Sequence, residues 1–198
     1  MIPDFIVIGA VIRVSLTATF ILISKDWRYC ISALAVQYIG VFVLVYTSWP
    51  VEMAVAKMVA GWMSGAILGI AMASAPASWR NPDPSVKFGP IFRVLAAVIV
   101  VLTISSLVLH SDTWLSMIKS SIRWGSFLLI GFGVLQLSLS SHPLRIILAL
   151  LTALSGFEII YAAIETSTLV TGLLAGVNLG LALVGAYLLV APALESNP

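Results

Sequence analysis

Residues 144–164 read LRIILALLTALSGFEIIYAAI, and this segment indicates the fold class of the whole chain. Apart from Arg145 near its start and Glu158, it carries only apolar and small polar side chains. A helix needs about 20 mainly apolar residues to cross the hydrocarbon core of a bilayer. The segment therefore predicts a membrane-spanning helix that holds one carboxylate well inside the apolar layer.

The composition of the whole chain agrees with this interpretation. Of 198 residues, 61% are hydrophobic and 9% are charged, and the mean hydropathy is +1.12. Soluble domains are about 25% charged, so charge is too sparse here to cover a globule in water. Disordered chains combine low hydrophobicity with high charge, which excludes that class as well. The sequence therefore predicts an all-α, polytopic membrane protein.

Further apolar stretches of similar length bring the predicted number of spans to about seven. The spans cover about 5–24, 29–48, 51–73, 89–109, 121–138, 144–164 and 169–191. We expect a single integral-membrane domain over 1–198, with helices one to three in 1–73 and helices four to seven in 89–198. Between them, 74–88 is a proline-rich cytoplasmic connector, which cannot be helical throughout or lie in lipid.

Residues 113–120, before the fifth span, are expected to lie along the membrane interface. Trp114, Met117 and Ile118 alternate there with Ser and Lys119 at helical spacing. This alternation is typical of an amphipathic interfacial segment.

The distribution of Lys and Arg predicts the orientation, because cytoplasmic loops carry an excess of these residues. The residues on one side are Lys25, Arg28, Arg80, Lys87 and Arg145, with Arg93 close by. The other side holds Lys119 and Arg123, both near the start of the fifth span. We therefore expect the N-terminus outside, the C-terminus in the cytoplasm, and a multi-pass protein of the cell (inner) membrane.

Several function classes are excluded by what the sequence lacks. The formal charge of +2 is too small and too scattered for a nucleic-acid-binding surface. The single cysteine, Cys30, excludes an internal disulfide and Cys-rich metal sites. His110 and His142 fall at helix ends without metal-ligand spacing, and no glycine-rich phosphate loop is present. We therefore predict no metal, no cofactor and no catalysis by this chain alone.

Charged residues inside predicted spans identify the candidate site, because such a group costs about 2.5–3.5 kcal/mol on insertion scales. These residues are Arg13, Lys57 and Glu158. Glu158 is interpreted as a proton-binding carboxylate, and the alternative is a carboxylate paired to a neighbouring helix for assembly. Lys57, about 9 Å into the third span, is either a relay amine or a side chain that snorkels outward.

Other polar residues in the spans complete the prediction. Glu165, seven residues after Glu158, is expected on the same helix face near the outer end, as an ion-exit group or a solvated carboxylate. Arg13 stays protonated and cannot carry protons. It is expected to be a structural or electrostatic counter-charge, for example to a carboxylate of another subunit. Three neutral residues are expected to form interhelical hydrogen bonds, namely Gln37, Gln136 and Asn178.

Two stripes of glycine predict close helix packing, because glycine lets a neighbouring helix approach. The first stripe, in the third span, is Gly61, Gly65 and Gly69, and the second, in the seventh span, is Gly172, Gly176 and Gly180. Spans one to three and five to seven also run in the same direction. Gly40 and Gly156 occupy comparable places in the second and sixth spans, which favours a parallel internal repeat.

Two motifs near the C-terminus resemble a known membrane subunit. Residues 154–160, LSGFEII, and 177–183, VNLGLAL, are similar to the three-helix K subunit of proton-pumping NADH dehydrogenase (complex I). That subunit has a Gly-x-Glu-Ile pattern in its second helix and a Gly-Leu-Ala-Leu stretch in its third, so the K-like unit is about 121–191.

Upstream residues extend the resemblance to a larger relative. Lys57, Phe88-Gly89-Pro90 after the connector, and Leu95-Ala96-Ala97 resemble the E component of the hydrogenase-4 family. That component resembles a K subunit with extra N-terminal helices and belongs to membrane-bound group 4 nickel–iron hydrogenases. The resemblance covers roughly spans two to seven.

The resemblance implies a membrane subunit of a complex I-like, group 4 hydrogenase-like or cation-antiporter-like assembly. Glu158 then matches the first intramembrane glutamate of the K subunit, and Lys57 matches a lysine of the larger relative. The second glutamate of the K subunit falls near 176–178, where this chain has no acid. The implied partners are antiporter-like and redox-module membrane subunits, which would hold the redox cofactors, within the lipid bilayer.

Three functions therefore stay open from the sequence. The first is translocation of protons or sodium ions, with Glu158 as central carboxylate, Lys57 as relay or charge-coupling residue and Glu165 as exit group. The second is a purely structural scaffold subunit, which the glycine stripes and the missing second glutamate favour. The third is a free-standing transporter of ions or small solutes, although no helix pair broken by Gly or Pro is evident.

Overall fold

The computed structural model of the chain describes residues 3–76, 89–113 and 115–195, and its regular elements there are all helical. The seven long helices are α1 Asp4–Ile23, α2 Trp27–Tyr46, α3 Val51–Ser74, α4 Pro90–His110, α5 Ser120–Leu139, α6 Pro143–Ile164 and α7 Thr168–Glu195. Each of them contains a segment long and apolar enough to cross a membrane. The predicted all-α fold with seven spans is confirmed, and the protein is a multi-pass membrane protein.

The helix boundaries follow from local sequence signals. Pro90 and Pro143 occupy the first helical positions of α4 and α6, where a missing amide hydrogen costs nothing. Asp26 precedes α2, and its side chain accepts a hydrogen bond from the backbone N–H of Arg28 at 2.9 Å. Each predicted span therefore coincides with one helix to within a few residues.

The connection before α5 differs from the prediction. Ser111–Thr113 form one turn of 3₁₀ helix, and residues 115–119 are not helical. Ile118 is buried in the core whereas Met117 is 99% exposed. The helical alternation expected for this segment is therefore wrong for 115–119, because Ile118 anchors a turn on the bundle. The position of the segment along the membrane interface stays a prediction. Trp114, and the part of the predicted connector at 77–88 with Arg80 and Lys87, lie outside the described residues.

The bundle has two similar halves. In the first half α1 packs on α2 and α2 on α3, and in the second half α5 packs on α6 and α6 on α7. The halves meet through the pairs α1 with α5, α2 with α6 and α3 with α7. The remaining helix, α4, packs mainly on α5 at the side of the bundle. Each helix of one half thus contacts the helix that corresponds to it by order, as a parallel repeat predicts.

Two glycines make equivalent close approaches in the two halves. A Cβ on Gly40 of α2 would lie 2.6 Å from Val14 Cγ1 and 3.4 Å from the carbonyl oxygen of Ala10 on α1. A Cβ on Gly156 of α6 would lie 2.8 Å from Ile130 Cγ1 and 2.5 Å from the carbonyl oxygen of Ser126 on α5. In both halves the contacted residues precede their glycine at the same sequence spacing. The geometry therefore supports the predicted repeat in α1–α2 and α5–α6.

The glycine stripes do not both mediate packing. Gly61 faces the ring of Tyr38 so closely that a Cβ there would collide with it. Gly65 and Gly69 make only ordinary contacts with the side chain of Ile31. The stripe on α7, formed by Gly172, Gly176 and Gly180, faces open space with nothing within 4 Å of a Cβ. The packing prediction is therefore wrong for the α7 stripe within this chain. The side of α7 that packs against the bundle is the one opposite the glycines, with Asn178 and Ala182.

Candidate functional site

The candidate site centres on a buried ion pair between α3 and α6. The ammonium Nζ of Lys57 contacts the carboxylate Oε2 of Glu158, and the two side chains are only 3% and 2% exposed. The sequence singled out both residues but left open whether they meet. Since Lys57 is enclosed and paired, the alternative that its side chain snorkels outward is wrong.

A neutral amide from α7 completes the coordination of the carboxylate. Asn178 Nδ2 donates a hydrogen bond to Glu158 Oε1 at 2.9 Å and also lies 3.1 Å from the carbonyl oxygen of Leu174. Both oxygens of Glu158 therefore have a partner, one charged and one neutral. Asn178 thus forms the interhelical bond expected of it, and its partner is the central carboxylate.

Tyr38 on α2 is a member of the site that the sequence analysis missed. Its hydroxyl donates to Asn178 Oδ1 at 3.2 Å, and the Lys57 ammonium lies 5.4 Å from the centre of its ring. The ring is fully buried, and the absence of a side chain at Gly61 makes room for it. An uncharged tyrosine is not unusual in a membrane span, so the sequence did not single out Tyr38. The one sequence feature that could have pointed to the site is its neighbour Gln37, a polar residue inside the span.

A second polar layer lies beside the ion pair. Gln37 Nε2 on α2 donates to Thr152 Oγ1 on α6 at 3.3 Å, and Thr152 in turn donates to the carbonyl oxygen of Leu148. Gln37 Oε1 is buried without a hydrogen-bond partner in the part of the chain described. The predicted interhelical bond of Gln37 is therefore present and leaves one acceptor unused.

The site lies closer to one face of the bundle than to the other. Lys57 is about 9 Å from the start of α3, and Glu158 is about 9 Å from the end of α6 at 1.5 Å per residue. These two helix ends are at the same face, because Trp49 Nε1, just before α3, donates to the carbonyl oxygen of Glu165 at 2.8 Å. The ion pair is therefore buried roughly two helical turns below this face.

Glu165 lies at that face but not on α6. The helix ends at Ile164, and Glu165 has extended backbone angles, with φ −132° and ψ 137°. Its carboxylate Oε1 accepts from the backbone N–H of Thr166 at 3.1 Å and is exposed. The expectation that Glu165 continues the helix face of Glu158 is therefore wrong, because the chain has already turned away. Its role as exit group stays a prediction.

The remaining polar residues of the spans are separate from the ion pair. Gln136 Nε2 donates to the carbonyl oxygen of Ala18 at 3.2 Å, so this residue joins α5 to α1 as expected. Arg13 is exposed on the outside of α1, and within the described residues its guanidinium has no hydrogen bond or ion pair. Arg13 therefore faces no carboxylate among the described residues, and its role as a counter-charge to a carboxylate of another subunit stays a prediction.

Three other arginines bind polar groups at helix ends. Arg93 Nη1 donates to the carbonyl oxygen of Leu22 at 2.7 Å, and Arg145 donates to that of Ser24. Arg123 Nη1 donates to Ser111 Oγ at 3.1 Å. Arg93 and Arg145 thus satisfy carbonyls at the end of α1, where cations are favoured. The sequence predicted on which side of the membrane these side chains lie, but not that Arg93 and Arg123 are buried.

Within the described residues, no three His, Cys, Asp or Glu side chains come together in a way that would hold a metal ion. The site therefore offers one carboxylate, one ammonium, one amide and one phenol in an otherwise apolar interior. A carboxylate in this setting can bind the ammonium, a proton or a small cation, one at a time.

Comparison with known proteins adds no relative: no family model, no curated protein and no solved structure matches this chain.

Proposed function

We propose that the chain is an integral-membrane subunit of a complex I-like, group 4 hydrogenase-like or cation-antiporter-like assembly of the cell (inner) membrane. In this role it contributes to the translocation of protons or sodium ions through Glu158. The observation that carries the proposal is the Lys57–Glu158 ion pair, held by Asn178 and Tyr38 and enclosed by four helices. Ionisable residues inside membrane spans are rare and mark ion pathways.

The proposed step is an exchange of cations on one carboxylate. In the resting state the Lys57 ammonium neutralises Glu158. An arriving proton or sodium ion takes the place of the ammonium at Glu158 Oε2, while Asn178 keeps the other oxygen in place. Release of the ion toward the face that carries Glu165 restores the pair. No bond between heavy atoms forms or breaks, and the driving energy comes from partner subunits that hold the redox cofactors.

The resemblance to the K subunit and to the hydrogenase-4 E component supports the same proposal. Glu158 corresponds to the first intramembrane glutamate of the K subunit. The second glutamate falls near 176–178, and here Asn178 lies in that region and binds Glu158 through its amide. A neutral residue there limits this chain to one titrating carboxylate in the path. A complete relay therefore requires acidic or basic residues of the partner subunits.

The decisive experiment compares Glu158→Gln with Glu52→Gln in the assembled complex in native membrane vesicles. Glu52 is an exposed acid at the start of α3, so the two variants make the same chemical change. Proton flux is followed with a pH-sensitive dye and sodium flux with a radioactive tracer, both normalised to the amount of assembled complex. We expect a loss of about tenfold or more for Glu158→Gln and wild-type flux for Glu52→Gln.

A scaffold without an ion path is the second candidate, and one specific observation favours it. Both carboxylate oxygens of Glu158 already have partners, as in a pair that only holds α3, α6 and α7 together. If this function is correct, Glu158→Gln lowers the amount of complex but leaves the flux per assembled complex unchanged. That outcome would overturn the proposed ion translocation.

A further inference from the structure

Arg13 is a cation in the middle of a lipid-exposed helix. It is the tenth residue of α1, about 13–15 Å from either helix end at 1.5 Å per residue. Its side chain is exposed on the outside of the bundle, and within the described residues its guanidinium has no hydrogen bond or ion pair. Because the distance to either end exceeds the length of the side chain, Arg13 cannot bring its charge fully to water by extending along the helix.

Three other basic residues within the helices bind polar groups of this chain. Lys57 pairs with Glu158, Arg93 binds a carbonyl oxygen at the end of α1, and Arg123 binds the hydroxyl of Ser111. Intramembrane basic side chains normally face protein or a water-filled cavity and pair with an anion or carbonyl. Arg13 departs from this pattern as long as no other polypeptide covers the outer face of α1.

The surroundings of Arg13 form a surface that a helix can cover. We call it the Arg13 face: Gly9, Ile12, Arg13 and Leu16. Ile12 is 54% and Leu16 is 65% exposed, and a Cβ on Gly9, one turn before Arg13, would meet nothing within 4 Å. The Arg13 face therefore offers an approaching helix an apolar surface with a depression at Gly9 and a single positive charge.

A second copy of this chain does not supply the missing anion. The sequence holds eight acidic residues, namely Asp4, Asp26, Glu52, Asp83, Asp112, Glu158, Glu165 and Glu195. Glu158 is the one that lies well inside a span, and it is buried and paired with Lys57. By sequence, the others fall at or beyond the ends of the predicted spans, whereas Arg13 falls near the middle of one. Charge complementarity therefore requires a different polypeptide.

We propose that the Arg13 face binds a transmembrane helix of a partner subunit that carries an Asp or Glu in the interior of its span. The ion pair forms at mid-membrane depth, where it shields both charges from lipid. The inference rests on the part of the proposed function that places the chain in a multisubunit assembly. It does not depend on ion flux through Glu158.

The test uses the full chain in its native membranes. A photo-crosslinking amino acid is placed at Ile12 or Leu16 on the Arg13 face, and at Leu102, a 64% exposed residue on α4, as the matched control. We expect Ile12 and Leu16 to crosslink to one membrane polypeptide through a span that contains an interior Asp or Glu. Crosslinking to lipid alone, to a second copy of the chain, or to a span without an acid overturns the proposal.

A charge exchange then tests the ion pair itself. Arg13→Glu should lower the amount of partner that co-purifies in mild detergent by about tenfold or more. Replacement of the partner's acid by Arg should restore it, whereas Leu102→Ala, at an exposed position on α4 outside the Arg13 face, should have no effect. Unchanged co-purification of Arg13→Glu, or failure of the exchange to restore binding, overturns the proposal. If this occurs while Glu158→Gln still abolishes flux, only the docking surface is wrong and the proposed function stands.

Discussion

At the scale of the residue, Glu158 and Lys57 are mutually dependent. Each is nearly fully buried, and each would be an isolated charge in an apolar interior without the other. Removing one partner of a buried ion pair is strongly destabilising, whereas replacing both can be close to neutral. Asn178 donates a hydrogen bond that fixes the carboxylate, and Tyr38 donates in turn to Asn178, but neither residue can neutralise the charge.

This dependence predicts a strongly non-additive double-mutant cycle. Glu158→Gln and Lys57→Met should each lower the free energy of unfolding by about 3–5 kcal/mol, since each leaves a buried charge unpaired. The double variant should lie much closer to wild type than the sum of the two losses. The measurement is unfolding of the purified chain in detergent micelles, with Glu52→Gln as control within about 0.5 kcal/mol of wild type. Additive losses would show that the pair is not formed.

A second residue-scale prediction concerns the room that Gly61 gives to Tyr38. Gly61→Ala forces the buried ring to move and should lower the free energy of unfolding by about 1–3 kcal/mol. Gly65→Ala, one turn later on the same stripe, meets Ile31 Cγ2 only at 3.8 Å. It should be neutral or stabilising by up to about 1 kcal/mol, because alanine favours helix more than glycine. Equal stability of the two variants would contradict the placement of Tyr38 against α3.

At the scale of the element, the helices pack closely at particular glycines and not along whole stripes. Gly40 and Gly156 bring α2 onto α1 and α6 onto α5 through the same contacts in the two halves. The α7 stripe looks similar in sequence but faces away from the other helices of the chain. A small residue permits a close approach, and the neighbouring helix determines whether one takes place.

This difference between helices can be measured with two matched alanine variants. A Cβ at position 156 would lie 2.5 Å from the carbonyl oxygen of Ser126, and backbone cannot give way as a side chain can. Gly156→Ala should therefore cost about 1–3 kcal/mol of unfolding free energy. Gly176→Ala, which meets nothing within 4 Å, should leave the isolated chain as stable as wild type or slightly more stable. A large loss for Gly176→Ala would mean that α7 packs with its glycine side inward.

At the scale of the whole molecule, the ion pair divides the proposed ion pathway into two parts of unequal length. The pair lies about two helical turns from the face where α6 ends and α3 begins, and Glu165 is exposed at that face. The distribution of Lys and Arg predicts that this face is outside. The proposed pathway is therefore short on the outer side and long on the cytoplasmic side.

The orientation can be tested with single cysteines at the two ends of α6. Ser141 precedes the helix and Thr166 follows it, and both are exposed. In a Cys30→Ala background, a membrane-impermeant maleimide should label Thr166→Cys in intact cells. It should label Ser141→Cys only after the membrane is made permeable. The reverse pattern would place the N-terminus in the cytoplasm and reverse the proposed direction of release.

The class of the protein, its seven spans and the charged residues worth examining all follow from the amino-acid sequence. These are local properties, because the length of an apolar segment and the cost of burying a charge can be judged one helix at a time. The resemblance to the K subunit pointed to Glu158 and that to the hydrogenase-4 E component pointed to Lys57, and both left open whether the two residues meet.

Which residues face each other depends on the tertiary structure. The helices are apolar around most of their circumference, so the sequence pattern does not encode how each one is rotated about its own axis. That rotation brings Lys57, Asn178 and Tyr38 to Glu158. It also turns the α7 glycines outward, against the expectation of close packing, and turns Arg13 toward the side where we propose that a partner helix binds.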